Sequence, residues 1–182
     1  MKIIYQDEPF KFIRFTQQDF DKYQKKIAED FANIFTTSKI GNPESNRQDA
    51  LDQINKFMVD AAYDEMNCFL YFIYDDNNLP ISVVMYTEAD QHYHLEIVAT
   101  REDYKCNGYA SQLCLQSFKD LANNFGVDII TSTVNKENYP SLYLQESLIN
   151  NKKIQFETFE DEDRIGFKYY IDELVDSPKM VE

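Results

Sequence analysis

Apolar residues recur along this chain with two periods, and the points where the period changes mark out the elements. Phe10–Phe15 (Phe-Lys-Phe-Ile-Arg-Phe) alternates as a strand does, and the following Thr16-Gln17-Gln18-Asp19 reads as a helix start with Thr16 as its cap. Phe20, Tyr23, Ile27, Phe31 and Ile34 then fall at three- and four-residue steps, the stripe of an amphipathic helix. Thr36–Asn46 carries Gly41-Asn42-Pro43 and reads as a loop; after it Ala50, Leu51, Ile54, Phe57, Met58, Ala61 and Ala62 predict a second helix. The unbroken apolar run Cys68–Tyr74 predicts a buried strand, Asp75-Asp76-Asn77-Asn78 a turn, and Ile81–Thr87 the second arm of a hairpin. His92–Ala99 follows as a third antiparallel strand.

Beyond it, Ala110, Leu113, Cys114, Ser117, Phe118, Leu121, Ala122 and Phe125 keep helical spacing until Gly126, a left-handed stop. Val127–Val134 is the next strand. A helix joins it to the strand ending at Ala99, so the two should run parallel with a right-handed crossover. Pro140 suits the first turn of a helix reaching about Asn150, and Ile154–Phe159 and Ile165–Ile171 read as strands flanking Glu160-Asp161-Glu162-Asp163. An acidic tail, about residues 173–182, is expected to fray. With no repeat or linker in view, the expectation is a single domain over 1–182, of α/β class. It is a mixed, mostly antiparallel sheet of about seven strands with one parallel pair and helices on both faces.

The junction after Val98 changes this from a fold reading to a functional one. Val98-Ala99-Thr100-Arg101-Glu102-Asp103-Tyr104-Lys105-Cys106-Asn107-Gly108 leads a strand through a charged loop into a helix, and Gly108 is one of only four glycines. Backbone N–H groups at such a helix start point outward with no side chain in the way, which suits a phosphate. A net charge of −14 repels nucleic acid, and it would either attract a cationic amine or serve solubility alone. No apolar run is long enough to span a bilayer, and Met1–Asp7 turns polar too soon for a signal peptide. Cys68, Cys106 and Cys114, odd in number and without C-x-x-C spacing, read as free thiols, so a cytoplasmic location is expected.

The element order and this junction together resemble the GNAT superfamily of acyl-CoA-dependent N-acetyltransferases over nearly the whole chain. That family's signature is Arg or Gln, two residues, Gly, one residue, then Gly or Ala; Lys105-Cys106-Asn107-Gly108-Tyr109-Ala110 matches it with Lys in the first place. Val98, Thr100 and Tyr104 match the wider consensus, Phe12–Asp19 looks like the family's first strand entering its first helix, and Val134, Asn138 and Ser141 resemble its segment after the fifth strand. The resemblance implies that acetyl-CoA is bound by Val98, Ala99, Thr100, the loop Lys105, Cys106, Asn107, Gly108, Tyr109, Ala110 and Ser111, and Asn138. A Tyr commonly stands seven residues after that Asn. Here position 145 is Gln and the nearest tyrosine is Tyr143, about 200° away around a helix. The family's Gly-Phe is replaced by Leu148-Ile149.

Acetyl transfer needs four things: a grip on the diphosphate, a polarised thioester, a deprotonated amine and a protonated leaving sulfur. Backbone amides of Lys105–Ser111 can supply the first. An N–H near Val98 and Ala99 supplies the second, as the resemblance implies. Glu96, a charge inside an apolar strand, is the candidate base acting through water, with a plain solvent-facing position as the alternative. Tyr143 is the candidate acid, with a core role as the alternative. His92, His94 and Glu96 share a strand face, yet no further ligand cluster accompanies them and no metal is expected; His94 is an alternative proton relay. Cys106 and Cys114 invite a covalent intermediate, but neither has a His nearby in sequence, so direct attack in a ternary complex is expected. The expected partner is an amine on a small molecule or a peptide, without nucleic acid or membrane, and a homodimer is common for such folds. The competing function is a degenerate domain that binds acyl-CoA as a sensor or interaction module.

Overall fold

The computed structural model describes residues 1–36, 42–63, 67–150 and 154–174. Their elements run β1 (Lys2–Asp7), β2 (Phe10–Thr16), α1 (Phe20–Phe35), α2 (Pro43–Tyr63), β3 (Cys68–Tyr74), β4 (Pro80–Ala89), β5 (His92–Thr100), α3 (Tyr109–Phe125), β6 (Ile129–Asn135), α4 (Tyr139–Ile149), β7 (Gln155–Glu160) and β8 (Arg164–Tyr170). All eight strands form one sheet in the order β1-β2-β3-β4-β5-β6-β8-β7. Every neighbouring pair is antiparallel except β5 with β6. The parallel pair and its α3 crossover are as the periodicity predicts.

Alternation along the strands feeds two cores. Phe12, Tyr71, Ile73, Val84 and Tyr86 face α3 and meet Leu113, Phe118 and Leu121; Ile13, Phe15, Leu70, Phe72, Val83 and Met85 face α1 and α2 and meet Ile27, Phe31, Ile54 and Met58. Covered on both sides, β3 and most of β4 need apolar residues at every position, which is why those segments read as unbroken runs. Two buried polar clusters tie helices to the sheet. On the α3 side Asp120 accepts from the Arg14 guanidinium, from the Tyr71 hydroxyl at 2.9 Å and from Asn124 at 2.8 Å, while Arg14 also lies over the Phe125 ring. On the other side Asp30 accepts from Tyr74 and Lys26, each at 2.6 Å. Burial first, and then the Asp30 carboxylate, hold the Tyr74 phenol far above its ordinary range, so it stays a donor.

Four boundaries differ from expectation. Eight strands form rather than about seven, because Lys2–Asp7 pairs with β2 at the sheet edge, where Ile3 and Tyr5 stay exposed and no burial pattern marks a strand. Helix α2 starts at Pro43, inside the predicted loop. The Asn42 side chain accepts from the Glu44 N–H at 2.9 Å, so Asn-Pro is a cap followed by a first-turn proline rather than a turn. Strand β6 starts at Ile129, since the Val127 N–H is taken by the Leu121 carbonyl to close α3 behind left-handed Gly126. Asp172–Leu174 forms a short 3-10 turn with Leu174 buried, so part of the predicted tail is packed; 175–182 lie outside the described residues.

Candidate active site

The parallel pairing of β5 and β6 lasts only three residue pairs, Tyr93 with Ile130 through Leu95 with Ser132. From there β5 stays with β4 as far as Thr100, whereas β6 stays with β8 as far as Asn135. The two strands part, and each has one edge facing the opening with no strand of the described residues beside it. The parting begins at a bulge in β5. Met85 lies opposite Ile97 and Tyr86 opposite Leu95, which leaves Glu96 as the extra residue. Leu95 belongs to the α3-side core and Ile97 packs on the α1/α2 side, so the bulge reverses the facing of the strand beyond it. Glu96 is thereby exposed, and its Oε1 accepts from the Thr87 hydroxyl at 2.6 Å.

On one side of the opening lies a cleft of about 670 Å3. Val98, Ala99, Thr100, Lys105, Cys106, Gly108, Tyr109, Ala110, Ser111, Asn138 and Tyr143 all line it, so these residues, distant in sequence, converge on one cleft. Asn107 does not line it. Its side-chain amide donates to the Tyr104 and Lys105 carbonyls at 3.2 and 3.1 Å and holds the loop from behind. Gly108 is the N-cap of α3 at φ 79°, with no capping side chain; the first helix-closing N–H is that of Gln112, donated to the Gly108 carbonyl. The amides of Tyr109, Ala110 and Ser111 in the first turn therefore lack helical acceptors and carry the positive end of the helix dipole. Cys106, at φ 62°, is also left-handed, an uncommon state for a residue with a Cβ and one that concentrates at binding loops.

Lys105 is paired within this loop. Its ammonium donates to Glu102 at 2.7 Å, and Arg101 pairs with Asp103 at 3.0 Å. Bonding from Arg101 outweighs desolvation and holds the Asp103 carboxyl below the usual carboxylate range. With both cations matched by carboxylates, attraction for an anion falls chiefly on the backbone amides.

A second hollow, of about 280 Å3, adjoins the first. Glu96 lines it with Gln53 of α2 and Thr133 and Asn135 of β6, while Phe35, Val98, Asn138 and Ser141 line both hollows. Glu96 and Tyr143 thus stand on opposite sides of a shared wall. The helix periodicity of α4 explains Tyr143: it is 69% exposed on the cleft, whereas Gln145 is buried, accepting from Ser132 and Tyr169 in the core. His94 lines neither hollow and bonds Thr131 through Nδ1 at 2.9 Å. Cys114 and Cys68 are buried, which pushes each thiol up to about 12 and suits neither to nucleophilic work; Cys106 is exposed. Among the described residues no group of three or more His, Cys, Asp or Glu could hold a metal ion, and no helix is long and apolar enough to cross a membrane.

Sequence reasoning missed Phe35, Gln53, Thr133 and Asn135. Phe35 and Gln53 arrive through helix packing and carry no local signal; Asn135 could have been found as the polar residue directly after the predicted strand Val127–Val134.

Solved structures with the same fold include the ribosomal-protein-S5-alanine acetyltransferase of Vibrio fischeri, with TM-score 0.60 and 15% identity over 92% of this chain and 96% of that one. A point mutant of spermidine N-acetyltransferase SpeG of Vibrio cholerae aligns with TM-score 0.56 and 13% identity over 91% and 95% of the two chains. PaiA N-acetyltransferase of Thermoplasma acidophilum, in complex with coenzyme A, aligns with TM-score 0.55 and 12% identity over 88% and 99%. A search of curated proteins finds no match. The model of the acetyltransferase (GNAT) family matches residues 27–148, which run from within α1 to within α4 and enclose the bulge, the uncapped helix start and the wall between the hollows. The chain belongs to that family.

Proposed function

We propose that the protein is an N-acetyltransferase that moves an acetyl group from acetyl-CoA to a primary amine by direct attack in a ternary complex. One observation carries the reading: the parallel strands part between an uncapped helix start on one side and a bulge-borne carboxylate on the other. Amides of the α3 first turn would take the diphosphate, and the free edge of β5 from Val98 to Thr100 would pair with the pantetheine arm. An N–H at Val98 or Ala99 then stabilises charge on the thioester oxygen as the tetrahedral adduct forms. Glu96, acting through water, takes a proton from the substrate ammonium so that the neutral amine attacks, and Tyr143 gives one to the departing sulfur. Cys68 and Cys114, buried and hard to ionise, leave no covalent step for either. Two of the similar structures are, by name, acetyltransferases of a ribosomal-protein alanine and of spermidine, both amine acceptors, and a third holds coenzyme A. The free thiols fit a reducing, cytoplasmic setting.

Thiol release from acetyl-CoA, measured across polyamines, amino acids and peptides, tests the reading. At least one amine should be acetylated, and Glu96→Gln should lower kcat by about a hundredfold or more without loss of acetyl-CoA binding. The buried Gln145, in the place of the family's tyrosine, favours a second reading as an acyl-CoA-binding module. Acetyl-CoA binding with no release for any amine would establish that one instead.

A further inference from the structure

We infer that the acceptor is the terminal α-amine of a polypeptide rather than a polyamine or a lysine side chain; this rests on the acetyltransferase reading above. The hollow that holds Glu96 also holds two asparagines whose oxygens are already engaged. Asn135 Oδ1 accepts from the Glu137 N–H at 2.8 Å, and Asn138 Oδ1 accepts from the Ser141 N–H at 3.3 Å. Those bonds settle the orientation of both amides, so each has its NH2 group as the donor for a ligand. Gln53, on the facing helix, adds a third primary amide to the same lining.

Donors placed to meet a ligand call for acceptors on it. A polyamine has none: every polar atom of a protonated polyamine is itself a donor. A polypeptide terminus carries an ammonium for Glu96 and, two bonds from its nitrogen, the first carbonyl carbon. In a hollow of about 280 Å3 that carbonyl stays within reach of the same walls. A lysine ammonium sits at the end of a four-carbon stem, so its nearest backbone carbonyl stands several bonds farther from the ammonium than that of a terminal residue. Strand β6 reinforces the match. Past Ser132 its edge toward β5 has no strand partner among the described residues, so Thr133–Asn135 present main-chain groups along which an extended peptide can lie as an added strand.

The test compares acceptors at saturating acetyl-CoA by thiol release. The acceptors are a lysine-free tripeptide amide with a free terminus, a terminally blocked peptide containing one lysine, and spermidine. Asn135→Asp is the informative variant, since it keeps an oxygen for the Glu137 N–H while it replaces the donors with a charged acceptor that repels a carbonyl oxygen and favours a polycation. The inference expects the free-terminus peptide to exceed both others at least tenfold in kcat/KM. It also expects Asn135→Asp to cost that peptide about tenfold while the KM for acetyl-CoA moves less than twofold. Preference for spermidine or for the blocked lysine peptide, or an unchanged peptide kcat/KM in Asn135→Asp, overturns the inference and leaves the acetyltransferase reading standing. Acetyl-CoA binding by thermal shift, with no release for any of the three or for the wider amine set, overturns both.

Discussion

Glu96 draws its position from the register of its neighbours more than from its own segment. A charge inside Tyr93–Ala99 stands out in the sequence, but strict alternation would put Leu95 and Ile97 on one face, and only pairing with β4 reveals that Glu96 is inserted between them. The bulge makes Glu96 a near neighbour of Thr87, whose hydroxyl holds one carboxylate oxygen and restrains the side chain. If Glu96 is the base, Thr87→Val should lower kcat about tenfold with both KM values nearly unchanged, and Thr87→Ser should restore most of it. Steady-state kinetics on the two variants check this, and equal loss in both would point to packing instead. Tyr143 and Gln145 carry a related lesson. The departure from the family pattern is visible in sequence, yet which of the two meets the cleft depends on how α4 is rotated, and the bonds from Ser132 and Tyr169 to Gln145 set that rotation from other strands of the sheet.

At the level of elements, the legible parts are those whose burial imposes a period. The stripes of α1 and α3 and the saturated β3 run are written in their own residues because each packs a whole face. Strand β1 and the first turn of α2 are not legible: one lies at an exposed edge, and the other begins with residues that serve equally well in a turn. The loop before α3 is legible for a different reason. A left-handed N-cap needs glycine, and glycine is scarce here. An added Cβ at Gly108 meets no atom within 4 Å, so a substitution there is opposed by the backbone angle and not by crowding. Gly108→Val should therefore fold, at a cost of about 1–2 kcal/mol, while twisting the amides of the first turn away from their common direction. The expected outcome is an acetyl-CoA KM raised roughly tenfold with kcat little changed. Titration calorimetry with coenzyme A would register the same loss directly.

Over the whole molecule, two layers of helices clamp the sheet through charged groups that no segment announces. In sequence Arg14 and Asp120 look like an ordinary strand cation and helix anion, though they are 106 positions apart and meet in the core. Asp120→Asn would leave the Arg14 guanidinium buried without a counter-charge, and the Arg14 Nε already has no hydrogen-bond partner among the described residues. Loss of about 3–5 kcal/mol is expected in urea unfolding. Replacing both at once, Arg14→Met with Asp120→Leu, should recover most of it. The same pair joins β2 to the C-terminal half of α3, the helix whose first turn lines the cleft.

A sheet of eight strands joined across its middle by only three residue pairs is in effect two plates sharing a narrow seam. The plates have separate strand supports, β4 on one side and β8 on the other. Under the proposed function, the line along which a substrate enters is also the line where the sheet has its shortest strand pairing, and an occupant hydrogen-bonded to both rims would act as mortar.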